Sequence, residues 1–226
     1  MTAAARGKLI VFEGVEGAGK STQIERLSES FVRAGVDCRI YREPGGTILG
    51  DGIRELLLNP DSTLCDRAEA LLFMASRAEL VHCELKPWLE KGSVILLDRF
   101  FLSTYAYQIA GRGLTESDVR SANTMATAGL VPDLTLLLTL PADVGLARAK
   151  RRSGPDRIEQ AGDEFYARVE EAFASFATRE WQLAHEESGP IVAVDANGEP
   201  SLVENRVHNA VTARFADLRD VLGATA

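Results

Sequence analysis

Gly14-Val15-Glu16-Gly17-Ala18-Gly19-Lys20-Ser21 is the stretch that most constrains the chain. An apolar run, Leu9-Ile10-Val11-Phe12, precedes it, and a helix-like segment, Thr22 to Leu27, follows. A G-x-x-x-x-G-K-[ST] motif between strand and helix is a phosphate-binding loop. Its glycines let the backbone wrap a polyphosphate with N–H groups turned inward, and the helix start adds its positive dipole end. Lys20 then neutralises the outer phosphates, and the Ser21 hydroxyl is a ligand for Mg²⁺. The loop from Gly14 to Ser21, with Thr22 after it, predicts binding of a nucleoside triphosphate.

The rest of the chain alternates short apolar runs with helix-period segments. Strands are expected at 37–41, 93–97, 133–140 and 191–194 besides the first. Helices are expected at 49–58, from 66 towards 85 with Pro87 ending or kinking it, at 102–109 and at 116–128. A further helix is expected to open at Pro141, a long one to run over 163–187, and the last to span 201–222. Strands alternating with helices predict an α/β fold whose parallel sheet is covered on both faces. Right-handed crossovers then bring the loops after the first four strands to one crevice. No repeat or Pro/Gly/Ser-rich linker divides the 226 residues, so one domain is expected.

A net charge of −8 argues against general nucleic-acid or membrane-surface binding. Cys38, Cys65 and Cys83 are odd in number and lack a C-x-x-C pairing, as expected of thiols in a reducing cytosol. No apolar run reaches membrane-spanning length, and the first residues lack a signal-peptide core. A cytoplasmic protein is the expectation.

Asp98 ends the buried third strand, where a carboxylate can hold Mg²⁺ beside Ser21 or else cap the next helix. Arg99 beside it suits a phosphate. Glu16 is out of place against a triphosphate, so it is expected to face a sugar hydroxyl of a second substrate or solvent. The loop carries no arginine, although phosphoryl transfer draws on positive charge at the moving group. Arg148, Lys150, Arg151, Arg152 and Arg157 crowd cations after the fourth strand, and Ser153-Gly154-Pro155 interrupts them. This run, about 148–160, reads as a lid that supplies the missing cation and excludes water, or as a solvated face. Phe73 and Arg77, at i and i+4, share a helix face and suit a stacked base, or a core ring beside a surface cation.

Three segments together resemble the thymidylate kinase family in its bacterial form. They are Phe12 to Ser21, Arg42-Glu43-Pro44-Gly45-Gly46-Thr47, and Asp98-Arg99-Phe100 through Gln108, with Asp156-Arg157-Ile158-Glu159 as a fourth. The resemblance implies a P-loop kinase fold of five parallel strands with a mobile lid, a homodimer packed through helices, and transfer from ATP to dTMP with Mg²⁺. By the same resemblance Glu16 receives the dTMP 3′-hydroxyl, Arg54 and Arg99 clamp its phosphate, and Phe73 stacks under thymine with Arg77 bonded to it. Thr104 and Gln108 fall where the base edge is read, and Tyr107 where a 2′-hydroxyl would clash. Lys20, Arg99 and Arg152 are the implied catalytic cations, with Arg148 and Arg151 as rivals to Arg152. Specificity for another nucleoside monophosphate or a deoxynucleoside is the alternative enzyme reading. A GTPase-like switch lacks its N-K-x-D.

Overall fold

The computed structural model describes residues 6–140, 144–145, 157–158, 160–219 and 222. Five parallel strands form one sheet: β1 (Lys8–Glu13), β2 (Cys38–Arg42), β3 (Val94–Asp98), β4 (Leu134–Thr139) and β5 (Ile191–Asp195). Their spatial order is β2-β3-β1-β4-β5. In register, Phe12 of β1 lies beside Asp98 of β3 and Leu136 of β4. The carboxyl ends of β1, β2 and β3 therefore open at one edge.

Alternation along the central strands feeds two cores. Leu9, Val11, Ile95, Leu97 and Leu137 point to one face, and Ile10, Phe12, Val94, Leu96, Leu136 and Leu138 to the other. Residues apolar at both parities belong to a strand covered on both sides, which is why β3 reads as an unbroken apolar run. The second face is covered by α1 (Lys20–Arg33) and the long closing helix over Pro200–Arg214, through Ile24, Leu27, Phe31, Val203, Val207 and Val211. The first face is covered by helices from the middle of the chain.

That middle begins with α2 (Ile48–Leu58), whose N-cap Thr47 accepts a hydrogen bond from Gly50 N; such a cap stabilises by about 1 kcal/mol. Next come α3 (Asp66–Leu80), a π-helical turn over Val81–Leu85, and α4 (Lys86–Glu90). Pro87 was expected to end or kink the segment, yet helix continues to Glu90. The wide turn before Pro87 shifts the hydrogen-bond pattern at the position where proline has no N–H to give. Past β3, α5 (Phe101–Thr104) passes directly into a π helix over Tyr105–Gly111, and α6 is Glu116–Thr127.

The run expected as one helix over 163–187 is broken: α7 is Asp163–Phe176 and α8 is Arg179–Ala184, followed by a 3-10 turn at Glu186–Ser188. Thr178 makes the break, with extended backbone and a side chain that accepts from Trp181 N, an N-cap that starts a new helix. Likewise the closing helix, α9 (Pro200–Arg214), stops well before 222. Phe215 leaves helical geometry (φ −123°, ψ 97°), and its ring packs into the second core. Pro141 and the cations Arg148, Lys150, Arg151 and Arg152 lie outside the described residues. Among the described residues no helix is long and apolar enough to cross a membrane.

Candidate active site

The phosphate-binding loop turns between β1 and α1 on two glycines that no other residue replaces easily. Gly14 has φ +136°, and a Cβ there would meet the Leu138 carbonyl oxygen at 2.5 Å. Gly19 caps α1 in the left-handed region, at φ +87°. Within the loop, Lys20 Nζ donates to the carbonyl oxygens of Gly14 and Val15, at 3.0 and 3.1 Å. Burial and the nearby Arg99 guanidinium lower its pKa to about 8, against the opposing pull of Glu16, Asp98 and Glu13.

Asp98 and Ser21 meet at the loop's lip, where Ser21 Oγ donates to Asp98 Oδ2 at 3.3 Å. The other oxygen, Asp98 Oδ1, is buried without a hydrogen-bond partner. A hydroxyl and a carboxylate oxygen are hard donors that suit Mg²⁺, which usually takes one or two carboxylates and completes its shell with phosphates and water. Among the described residues there is no group of three His, Cys, Asp or Glu side chains built to hold a metal by themselves. These two residues therefore fit a metal that arrives with a nucleotide.

Arg99 follows Asp98 in the left-handed region, at φ +70°, a conformation strained for arginine. Its N–H donates to Phe12 O at 3.0 Å, which ties the turn back to β1. The guanidinium pairs with the Glu16 carboxylate, donates to Ser103 Oγ at 3.0 Å, and lies over the Tyr107 ring, 5.3 Å from its centroid. Glu13, the last residue of β1, organises the segment beyond. Its Oε1 accepts from Phe100 N and Ser103 N, at 2.7 and 3.1 Å, and its Oε2 from Ser103 Oγ at 2.6 Å. This buried carboxylate fixes the start of the α5 and π-helical segment that carries Thr104, Tyr107 and Gln108.

Two cavities meet here. The first, about 100 Å³, has Phe73 and Arg77 from α3, Thr104, Tyr107 and Gln108 from the α5 and π-helical segment, and Leu58, Ile158 and Tyr166 around it. The second, about 160 Å³, is polar: Gly17, Gly19, Lys20, Ser21, Arg42 and Asp98 line it. Glu16, Glu43, Arg54 and Arg99 line both. A third cavity of about 410 Å³ lies on the loop's other side, between Gly17, Ala18, Thr22, Gln23 and the β5–α9 connection at Ala196, Gly198, Glu199 and Pro200. Every site residue expected from the sequence lines one of these spaces or forms the loop itself, apart from Arg152, which lies outside the described residues. Val15 packs against the apolar cores.

Arg77, expected as the hydrogen-bonding partner of the base, lines the first cavity and is also held by the protein itself. Its Nε and Nη2 donate to Glu43 Oε2 (2.7 and 2.5 Å), Nη1 to Thr104 Oγ1 and Asn123 Oδ1 (2.8 and 2.6 Å), and Nη2 to Phe100 O (2.9 Å). All five N–H groups of the guanidinium are spent within the protein. Burial raises the Glu43 carboxyl pKa, and Arg77 opposes that. Tyr107 keeps its hydroxyl buried near the Arg99 guanidinium, and burial pushes its pKa up to about 12 against the opposing effect of Arg99.

Sequence reasoning quoted Glu13, Arg42, Glu43 and Ser103 inside motifs but gave them no role, and it passed over Tyr166 and the β5–α9 connection. The first three had a signal: each ends or directly follows a strand at the edge where the crevice opens. Ser103 sits inside the third segment, one helical turn after Arg99, and Tyr166 and the β5–α9 connection are brought in only by packing.

The chain matches a family model described as thymidylate kinase over residues 12–206. Among curated relatives, a thymidylate kinase of Trichodesmium erythraeum is 40% identical over 227 residues, covering 93% of this chain and 97% of the relative. One of Carboxydothermus hydrogenoformans is 48% identical over 172 residues, with 76% and 85% covered. One of Deinococcus radiodurans is 43% identical over 209 residues, with 92% and 98% covered.

Proposed function

We propose that this chain, which belongs to the thymidylate kinase family, phosphorylates dTMP with ATP, yielding dTDP and ADP on the route to dTTP. The observation that carries this reading is the junction of the two cavities at Glu16, Arg54 and Arg99. A cavity with an aromatic wall suits a base, a phosphate-binding loop suits a triphosphate, and a shared wall with two arginines suits two phosphates that must touch.

In the reaction a phosphate oxygen of dTMP attacks the γ-phosphorus in line, the bond to the β–γ bridging oxygen breaks, and ADP leaves with that electron pair. The backbone from Gly14 to Thr22 cradles the ATP phosphates, and Lys20 leaves its carbonyl partners to meet the outer ones. Arg54 and Arg99 hold the dTMP phosphate, with Arg99 released from Glu16 as Glu16 takes the 3′-hydroxyl. Phe73 stacks on thymine, Thr104 and Gln108 face its edge, and Tyr107 fills the space a 2′-hydroxyl needs. The third cavity accommodates the adenine end of ATP. Ser21 and Asp98 would hold Mg²⁺, which when bound would neutralise negative charge on the nucleotide phosphates. Arg152 is the lid cation assigned to the transferring group.

The whole chain acts as one catalytic unit, and it works as a homodimer. The test of the reaction is direct: purified chain with ATP, MgCl₂ and dTMP should release ADP and form dTDP in equal amounts. ADP release that is independent of dTMP would contradict it.

A further inference from the structure

Glu69 is a buried carboxylate on α3 that neither the phosphate chemistry nor the stacking of the base uses. It is 1% exposed, where an ionised carboxylate persists only if its oxygens are fully paired. They are. Oε1 accepts from Gln108 Nε2 at 3.3 Å and Arg112 Nε at 3.1 Å; Oε2 accepts from Arg112 Nη2 at 3.0 Å and Arg157 Nη2 at 2.7 Å. Burial works to raise its pKa, and the bonds from Arg112 and Arg157 outweigh it, so the carboxyl is held below the usual range. Arg157 is fastened in turn, donating through its backbone N–H to Leu58 O and through Nε to Leu57 O, at 3.1 and 2.8 Å.

An ionised carboxylate can only accept. The end of the Gln108 amide that faces Glu69 must therefore be the NH₂ group, which fixes an orientation that the amide's near-symmetric shape leaves open. Gln108 is buried and lines the base cavity. With its NH₂ committed to Glu69, its carbonyl oxygen is the end left to the cavity, and no described residue donates to that oxygen. A carbonyl oxygen suits a base carrying a proton on its ring nitrogen, as thymine does at N3. It opposes cytosine, whose N3 is itself an acceptor.

We propose that Glu69 is a positioning residue for pyrimidine specificity: by accepting from Gln108 it presents a carbonyl acceptor to N3–H, so the site takes thymine-type bases and refuses cytosine-type ones. The inference rests on the dTMP kinase reading and deepens it. The arginines make the device directional. In Glu69→Gln, the single remaining oxygen is drawn to the position that two arginine N–H groups share, Arg112 Nη2 and Arg157 Nη2, rather than the one where Arg112 Nε stands alone, which leaves the new NH₂ facing Gln108 and Arg112 Nε. Gln108 then turns over and offers N–H to the cavity.

The test is the ratio of kcat/KM for dTMP to that for dCMP, measured on the full chain. Glu69→Gln should lower this ratio at least about tenfold, because a buried hydrogen-bonding group would then mismatch thymine and match cytosine. A ratio within about twofold of the unmodified protein's, with both substrates slowed alike, would overturn the proposal and leave Glu69 a purely structural anchor. If the single exchange leaves the arginines too poorly compensated for folding, Glu69→Gln with Arg112→Gln reduces the excess charge and must show the same fall in ratio. Failure of the underlying reading would look different, since the unmodified chain would then lack dTMP activity altogether.

Discussion

Two N–H groups of Arg77, from Nε and Nη2, converge on a single oxygen of Glu43, at 2.7 and 2.5 Å. Both residues are buried, with side chains 2% and 4% exposed, and the pair forms part of the wall of the base cavity. Arg77 is thus a structural hub before any substrate arrives. Breaking a buried pair by removing one partner costs about 3–5 kcal/mol. Arg77→Ala should lose that much stability in urea denaturation of the ligand-free protein. A loss below about 1 kcal/mol together with a large rise in KM for dTMP would instead make Arg77 chiefly a base contact.

Lys20 gives a pH dependence with a definite sign. Burial and Arg99 bring its pKa from 10.5 down to about 8 in the ligand-free fold. Above pH 8 the free protein loses the charge that ATP needs, so affinity falls as pH rises, by at most about tenfold per unit. Binding should take up a proton in that window, measurable by calorimetry in buffers of different ionisation heat. The stability effect runs the other way. Between about 8 and 10.5 the unfolded chain holds this proton and the folded one does not, so this group alone makes the free protein more stable as pH rises. In Lys20→Met the proton uptake assigned to this group should vanish; its persistence would move the linkage elsewhere.

Much of this was legible in the sequence because chemistry and backbone demands coincide. Gly14, Gly19 and Lys20 sit where a phosphate loop requires them, and Asp98 ends a strand whose two-faced burial shows in its composition. Phe73 and Arg77 follow helical spacing. What stayed hidden was the purpose of buried polar groups. Nothing in the spacing shows that Glu13 holds Phe100 and Ser103, that Glu69 gathers Arg112 and Arg157, or that Arg77 is already saturated, since each partnership spans from 23 to 90 positions along the chain. The break at Thr178 escaped as well, because a capping threonine inside a continuous apolar period reads as an ordinary helical residue.

Glu16 should separate the two substrates. It pairs with Arg99 and lines both cavities, and its assigned partner is the dTMP sugar. Glu16→Gln should raise KM for dTMP about tenfold, the loss of one charge-assisted hydrogen bond, and leave KM for ATP nearly unchanged. Equal weakening of both would assign Glu16 to loop structure.

Arg152, the proposed lid cation, lies outside the described residues and is open to a kinetic test. The loop from Gly14 to Ser21 has no arginine of its own, so charge developing on the transferring group requires one from elsewhere. Arg152→Ala should lower kcat by a factor on the order of 10²–10³ with dTMP affinity little changed. An unaltered kcat would remove it from the mechanism and turn attention to Arg148 or Arg151.

The central claim is that the phosphate acceptor is dTMP. Initial rates of ADP formation from MgATP, taken across dTMP, dUMP, UMP, CMP and thymidine, test it most directly. The account predicts the highest kcat/KM with dTMP, less with dUMP, and little with UMP, where Tyr107 meets the 2′-hydroxyl, or with CMP, whose base is wrong as well. Thymidine, which has no phosphate for Arg54 and Arg99 to hold, should give almost none. Activity on UMP, CMP or thymidine above that on dTMP would contradict the account.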